Sequence, residues 1–312
     1  MSQRPPILLD CDPGHDDAFA MLLAGATANL IAVTTVSGNV GLASTTRNAN
    51  VVREVGALDV PIYAGAARPL AGEPLHAPDI HGDSGLDGPT LPTPSREIEA
   101  TPAVEAILRY TREVDGLWLV PTGPLTNIAH ALRVDPTLVD RIAGISLMGG
   151  SRTFGNTTPA AEFNILADPE AAHVVFSSGA NIIMAGLDLT HQFRLGWDEI
   201  DAFRALNSKV GVFAADLLTF FMERYEARSG MPSAPMHDPC AVMAVTHPEL
   251  FETERLNVSV ERYGEHTRGM TLCDTRELHH RQEANATVLT RIDREAAFNH
   301  LLGALTSYTA EA

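Results

Sequence analysis

The chain has 312 residues, of which 45% are hydrophobic, and it carries a formal net charge of −17. Its length and apolar content suit one large α/β unit with a sizeable core. The acidic balance, without a cluster of Lys or Arg, disfavours binding to nucleic acid or to an anionic membrane surface.

We expect a protein of a reducing compartment, in the cytoplasm. Residues 1–6 lack the apolar segment of a signal peptide. No apolar run approaches the roughly 20 residues that a membrane-spanning helix needs. The three cysteines, Cys11, Cys240 and Cys273, form no C-x-x-C pair, which argues against a disulfide framework and against structural zinc.

The first predicted strand, residues 7–9, leads into a stretch of four carboxylates. Asp10, Asp12, Asp16 and Asp17 fall between this strand and an apolar helix. Crowded carboxylates cost free energy unless a cation lies among them or some stay protonated. Oxygen ligands favour Ca²⁺ or Mg²⁺, so the stretch predicts a hard-cation site. The simpler alternative is a solvated, Asp-rich turn that caps the helix.

Strands and helices then alternate along the chain. Apolar runs predict strands at 30–36, 61–64, 117–120, 145–148 and 181–187, with helices at 42–58, 101–113 and 125–133 between them. The alternation predicts an α/β fold with a mostly parallel central sheet and helices on both faces. Ligands bind such sheets at the C-terminal ends of the strands, where the chain has Asp12, Asn39, Thr122 and Gly149.

Two long loops interrupt the alternation. Residues 66–100 are rich in Pro and Gly and contain His81, and residues 151–167 contain Asn156, Glu162 and Asn164. Loops of this length in a compact domain are usually functional or disordered, so we expect both to flank a site, although the first could be a plain connection. Asp168 and Pro169 then predict the N-cap and first turn of a helix.

The last third of the chain has a less regular pattern of predicted helices and strands. Residues 196–228 have a helical pattern, and His237-Asp238-Pro239 opens a short apolar helix. Strand-like runs at 256–260, 268–272 and 286–289 precede a closing helix over 294–308. No repeat or linker divides the chain, so we predict a single domain over 1–312.

Several common catalytic motifs are missing from the sequence. There is no G-x-G-x-x-G, no G-x-x-x-x-G-K-[ST], no H-E-x-x-H and no G-x-S-x-G. A nucleotide cofactor, a zinc protease site and a nucleophile elbow are therefore not indicated. The acidic stretch also lacks the spacing of an EF-hand loop.

Eight short motifs occur in order over most of the chain. They are Asp10-x-Asp12-Pro-Gly-x-Asp16-Asp17-Ala, Val36-x-Gly38-Asn39, His81-Gly-x-Ser-Gly, Val120-Pro-Thr122-Gly, Leu147-Met-Gly-Gly, Ala161-Glu162-Phe-Asn164, Gly186-Leu-Asp-Leu-Thr-His and His237-Asp238-Pro. In these motifs the chain resembles the inosine–uridine-preferring nucleoside hydrolases.

The resemblance implies a calcium-dependent enzyme that cleaves the N-glycosidic bond of ribonucleosides. It implies that Ca²⁺ binds Asp12, Asp17, the main-chain carbonyl of Thr122 and Asp238, together with the ribose diol and a water. It implies Asp16 as the general base. The positions it assigns to the ribose are Asn39, Asn156, Glu162 and Asn164, and those it assigns to the base are His81, Tyr225 and His237. It also suggests a homo-oligomer, either a dimer or a tetramer.

These roles agree with the expected chemistry. Carboxylates stabilise the oxocarbenium character that develops on the sugar, and Asp16 can take the proton of a calcium-bound water as it attacks C1′, with inversion. His237 is the best candidate for the acid at the leaving base, because histidine titrates near neutral pH. Asp10 is expected to support Asp12 without binding the cation. Met148 is expected in the core or against the ligand, and His191 has no derived role.

Two other functions stay open on sequence alone. An Asp-x-Asp motif after the first strand also occurs in Mg²⁺-dependent phosphohydrolases, although this chain lacks a suitably placed Lys. A nucleoside or sugar sensor without turnover could use the same scaffold, although Asp16 and His237 are intact. His81 and His237 together resemble the broad or inosine–uridine type and not a strictly purine-selective one, and the choice between purine and pyrimidine stays open.

Overall fold

The strand elements of the computed structural model, which describes residues 4–277 and 282–308, are numbered in chain order. They are β1 Pro6–Cys11, β2 Asn29–Thr35, β3 Ile62–Ala64, β4 Trp118–Pro121, β5 Gly144–Met148, β6 Ile182–Ala185, β7 Arg194–Leu195, β8 Ala234–Pro235, β9 Phe251–Leu256, β10 Val258–Val260, β11 Thr271–Cys273 and β12 Ala286–Ile292. Residues 1–3 of the predicted N-terminal segment lie outside the described residues.

The helices are numbered in the same way. They are α1 His15–Thr27, α2 Leu42–Val55, α3 Pro78–His81, α4 Ala103–Glu113, α5 Thr126–Val134, α6 Phe163–Ala167, α7 Pro169–Phe176, α8 Leu187–Thr190, α9 Trp197–Ala205, α10 Lys209–Ser229, α11 Asp238–Thr246 and α12 Arg294–Ser307. Short 3₁₀ helices cover Pro136–Asp140 and Pro248–Leu250. No helix in the described part of the chain is both long and apolar enough to cross a membrane.

Eight strands form the central sheet in the order β3-β2-β1-β4-β5-β6-β12-β9. All neighbouring pairs are parallel except β12 and β9. The predicted α/β class with a mostly parallel sheet is confirmed. Strand β1 lies in the middle of the sheet, and its residues 7–11 are fully buried, so the chain after it emerges at the centre of the sheet's C-terminal edge.

Helices cover both faces of the sheet because successive strand residues point to opposite sides. Ile7 and Leu9 of β1 join one apolar core with α1, α2 and α9 to α12. Leu8 joins the other core with α4, α5 and α7. The apolar strands are therefore buried on both sides, as their continuous hydrophobic runs predict.

Residues 196–228, predicted as helical, form two helices. The chain forms α9 and α10, separated at residues 206–208. Asn207 has a left-handed φ of 48°, which Asn tolerates better than most residues. Ser208 then caps α10 by accepting a hydrogen bond from the N–H of Gly211.

The strands near the C-terminus also differ from prediction. The predicted strand over 256–260 is two strands, and β9 begins earlier, at Phe251. Most of β9 is exposed because it is the outer strand of the sheet, so it lacks an apolar pattern. The predicted strand over 268–272 begins only at Thr271, after Gly269 with its positive φ of 81°.

Asp168 is confirmed as the N-cap of α7, with Pro169 in the first turn. Its Oδ1 accepts the N–H of Ala171. Its Oδ2 accepts the N–H of Leu70 at 2.8 Å and the hydroxyl of Thr126 at 2.7 Å. The fully buried carboxylate thus joins the 66–100 loop and α5 to α7.

We expect Asp168→Ala to lower the free energy of unfolding by about 2–4 kcal/mol, because three donors lose their acceptor and two of them belong to other segments. Asp293→Ala is the control, since Asp293 caps α12 through the N–H of Ala296 at an exposed position and should cost about 1 kcal/mol. Urea denaturation measures both losses, and equal losses would contradict the role of Asp168 as a link between segments.

Candidate active site

Three carboxylates meet where two helices begin. Asp16 and Asp17 lie in the first turn of α1, and Asp238 is the first residue of α11. One oxygen from each lies within 4.8 Å of the other two, and all three residues are buried. The positive ends of both helix dipoles therefore face the cluster, which offsets part of the mutual repulsion.

Asp17 is held by donors from three different segments. Its Oδ2 accepts the N–H of Gly14 at 3.0 Å and the amide of Asn39 at 3.2 Å. Its Oδ1 accepts the hydroxyl of Thr122 at 2.8 Å. Each donor follows a different strand of the sheet, so pairing of these strands brings the donors around Asp17 together.

Asp12 lies just behind this cluster. Its Oδ2 accepts the N–H of Asn39 at 2.7 Å. Its Oδ1 is buried and has no hydrogen-bond partner among the described residues. A buried carboxylate oxygen without a donor is costly, and a cation is one ligand that would remove the cost.

Burial raises the pKa of all four carboxyl groups. The pKa of Asp16 rises to about 7, first through burial and then through the charge of Asp17. The pKa of Asp12 and of Asp238 rises well above the ordinary range, and that of Asp17 rises as well. Four ionised groups are therefore not stable together without a compensating charge.

The residues present fit a hard divalent cation. The cluster offers carboxylate and carbonyl oxygens and no thiolate or imidazole, which is the donor chemistry of Ca²⁺ and Mg²⁺. The partnerless Oδ1 of Asp12 gives a further oxygen. The carbonyl of Thr122 accepts a hydrogen bond from Asn164 at 2.7 Å and keeps a second lone pair.

Asp10 takes no direct part in the cluster. Its Oδ1 accepts the hydroxyl of Thr34 at 2.6 Å and the amide of Asn127 at 2.8 Å. Its main-chain carbonyl accepts the N–H of Thr122 at 2.8 Å. Burial raises the pKa of Asp10 to about 7. Asp10 thus supports the strand ends that carry Asp12 and Thr122.

Glu162 and Asn164 form another wall of the site. Glu162 caps α6 and accepts the N–H groups of Gly150, Asn164 and Ile165 at 2.8–3.1 Å. Burial raises the pKa of Glu162 to about 7. The side chain of Asn164 donates to the carbonyls of Thr122 and Met148, so this wall is tied directly to the cluster.

His237 stands beside the cluster with both ring nitrogens hydrogen-bonded. Nδ1 lies 2.7 Å from the Thr190 hydroxyl, and Nε2 lies 3.0 Å from the Tyr225 hydroxyl. Burial lowers the pKa of His237 well below its ordinary range, so the ring is neutral near pH 7. His237 was predicted as the acid because histidine ordinarily titrates near neutral pH, and in the folded protein this reason does not apply.

His81 is fixed by a histidine that the sequence did not single out. The backbone N–H and the Nδ1 of His15 lie 3.3 and 3.2 Å from His81 Nδ1. His15 Nε2–H donates to the carbonyl of Asp87 at 2.8 Å, and the ring stacks on Phe220 and Phe221. These contacts hold the ring of His81 in the wall of the cavity.

A cavity of about 300 Å³ joins these walls, at the lower end of the range for small-molecule sites. The predicted site residues that line it are Asp16, Asn39, His81, Thr122, Met148, Asn156, Glu162, Asn164, Tyr225, His237 and Asp238. Asp10, Asp12 and Asp17 lie behind its floor. Met148 is 3% exposed, so it belongs to both the core and the cavity wall.

Sequence reasoning named Tyr225 but missed several other residues of this cavity. Phe154, Phe163, His191 and Phe221 line it together with Arg228. Arg228 donates to the carboxylate of Asp79 at 2.8 Å and to the carbonyl of Asn156 at 3.2 Å. His191 and Phe163 had a signal, their places in the Gly186-Leu-Asp-Leu-Thr-His and Ala161-Glu162-Phe-Asn164 motifs.

Comparison with known proteins gives consistent relatives. The family profile described as inosine-uridine preferring nucleoside hydrolase matches residues 7–299. The pyrimidine-specific ribonucleoside hydrolase RihA of Shewanella woodyi is 45% identical over 309 residues, covering 97% of this chain and 99% of its own. The protein of the same name from Escherichia coli is 43% identical over 308 residues, with coverage of 97% and 99%.

Solved structures agree in fold. A purine-preferring ribonucleoside hydrolase from Gardnerella vaginalis superposes with a TM-score of 0.92 at 33% identity, covering 98% of this chain and 100% of its own. A plant nucleoside hydrolase superposes with a TM-score of 0.90 at 31% identity, covering 97% and 99%.

We expect Gly38→Ala to weaken binding of Ca²⁺ at least about tenfold. A Cβ at Gly38 would lie 2.0 Å from Asp12 Oδ2, so the carboxylate must move. Gly41→Ala is the matched control in the same loop, since a Cβ there meets nothing within 4 Å. Titration calorimetry with Ca²⁺ measures both, and equal affinities would contradict a role for Asp12 in the cation site.

Proposed function

The chain belongs to the inosine-uridine preferring nucleoside hydrolase family and is a ribonucleoside hydrolase, and on that premise we propose how its cavity cleaves the N-glycosidic bond. The observation that carries the proposal is the buried meeting of Asp16, Asp17 and Asp238 beneath a cavity that Glu162, Asn164 and His237 also line. A carboxylate floor of this kind suits a sugar that becomes cationic.

We propose Ca²⁺ as the cation, held by Asp12, Asp17, Asp238 and the carbonyl of Thr122. When bound, Ca²⁺ supplies the compensating positive charge, positions for two neighbouring hydroxyls and a more acidic water. The oxygen-only donor set and the partnerless Oδ1 of Asp12 support this assignment. The compensating charge also allows Asp16 to act as a carboxylate near neutral pH.

Asp16 is the general base in this proposal. It lies in the cavity wall and takes a proton from the water whose oxygen forms the new bond to C1′. The C1′–N bond breaks at the same time, and its electron pair leaves with the base. No enzyme nucleophile takes part, so the ribose is released with inversion at C1′.

The ribose is bound by the polar side of the cavity. Glu162 is ordered by three backbone N–H groups, and Asn164 is ordered by the carbonyls of Thr122 and Met148. These bonds fix both side chains before the substrate arrives, which lowers the cost of orienting it. Asn39 and Asn156 complete the ribose contacts.

The base leaves toward His81, Tyr225 and His237. Because His237 is neutral, it acts as a donor within a hydrogen-bonded chain with Thr190 and Tyr225. Such a chain can donate a hydrogen bond to the departing base and so stabilise the negative charge that the electron pair leaves on it. His81, held by His15 in the cavity wall, offers a second contact to the base.

We propose that pyrimidine ribonucleosides are the preferred substrates. The relatives at 43–45% identity are named pyrimidine-specific, whereas the purine-preferring structure is 33% identical. We also propose a homodimer or homotetramer in the cytoplasm, whose assembly light scattering after gel filtration would measure.

We expect the protein to release ribose fastest from uridine and cytidine, more slowly from inosine and least from adenosine. Treatment with a chelator should lower the rate more than about 100-fold, because the charge compensation is lost, and Ca²⁺ should restore it better than Mg²⁺. Free base and ribose are measured separately. Binding of nucleosides without release of ribose, or phosphate release from a phosphomonoester in its place, would overturn the proposed reaction.

We expect Asp16→Asn to lower kcat about 10²–10⁴-fold, since the amide cannot accept the proton of the water. Affinity for uridine should stay within a few-fold, because the ribose contacts are unchanged. Asp83→Asn, an exposed acid of the 66–100 loop, serves as the control and should match the parent protein. A variant at Asp16 with the parent's kcat would exclude this residue as the base.

A further inference from the structure

Three residues of the Gly186-Leu-Asp-Leu-Thr-His motif contact the cavity or the segments next to it. Asp188 accepts the N–H of Arg152 at 2.5 Å and the hydroxyl of Thr153. Thr190 contacts Nδ1 of His237 at 2.7 Å. His191, the last residue, lines the cavity itself. The motif therefore connects the loop after β5 with the residues around the leaving base.

His191 lies within an aromatic group. Its ring centroid is 5.1 Å from that of Phe154, edge to face at 62°, and 5.5 Å from that of His237. Its half-buried ring makes no hydrogen bond to the described residues through either nitrogen. Polar groups in such surroundings usually find a partner, and the open side of this ring is the cavity.

Phe154 lies partly exposed at the cavity. It keeps 36% of its surface exposed, yet it lines the cavity. Asp188 holds the two residues before it, so the loop cannot easily carry Phe154 away from His191. An apolar ring fixed at the edge of a cavity gains by covering an apolar or aromatic ligand.

We propose that His191, backed by Phe154, contacts the nucleobase and is a specificity-determining residue of the hydrolase. The assignment rests on the proposed function, in which the polar floor binds ribose and the base faces His237. A group 5.5 Å from His237 and on the cavity wall lies on the side of the base. There the rings of His191 and Phe154 limit the space for a second fused ring, which favours a pyrimidine over a purine.

The test compares uridine with inosine in His191→Ala. The uridine-to-inosine ratio of kcat/KM should fall about tenfold, because the site gains room for the larger base. The inhibition constant of ribose should stay within about twofold. His130→Ala, at an exposed position of α5, is the control, and His191→Leu keeps the volume in case the alanine variant does not fold.

Phe154→Ala provides an independent arm. If His191 and Phe154 form one wall, the double variant should change the ratio no more than the larger single change. An unchanged ratio, or an equal loss for uridine, inosine and ribose, would overturn the proposal, since the latter indicates a purely structural residue.

A binding measurement separates this inference from the reaction itself. The ratio of the uridine and inosine Kd values in Asp16→Asn, with and without His191→Ala, requires no turnover. A ratio that shifts as described supports the role of His191 even if the parent protein releases no ribose, and a constant ratio overturns it.

Discussion

The arrangement of the site depends on the repulsion among four buried carboxylates near the C-terminal end of β1. Asp12, Asp16, Asp17 and Asp238 are all nearly inaccessible, and burial raises the pKa of each. Two helix N-termini, the hydroxyl of Thr122 and the N–H groups of Gly14 and Asn39 compensate only in part. The negative charge that these donors do not neutralise is what makes the carboxylate cluster suited to a metal ion.

Much of the fold could be predicted because its signals are local. Continuous apolar runs marked the buried parallel strands, and Asp168-Pro169 marked the start of α7. The break between α9 and α10 was missed because Asn207 and Ser208 look like ordinary polar helix residues. Strand β9 was missed because an exposed edge strand of charged residues has no apolar alternation.

The candidate site divides in the same way. Its acids and amides occur in short motifs next to strand ends, so sequence could name Asp16, Asn39 and Glu162. Phe154 and Phe221 could not be named from sequence, because they reach the cavity from a loop and from a long helix without a motif around them. His15 was hidden among the acids, and its role with His81 follows from the 81–88 loop folding back onto α1.

The four acids also couple assembly of the fold to the cation. Asp12 and Asp238 are 226 residues apart in the sequence, and Thr122 comes from between them, so an unfolded chain offers no comparable set of ligands. A cation that binds only the completed arrangement stabilises it by mass action. A metal ion bound in this way would act on the folding equilibrium as well as on the reaction, and a nascent chain would acquire its full stability only after Asp238 has joined the site.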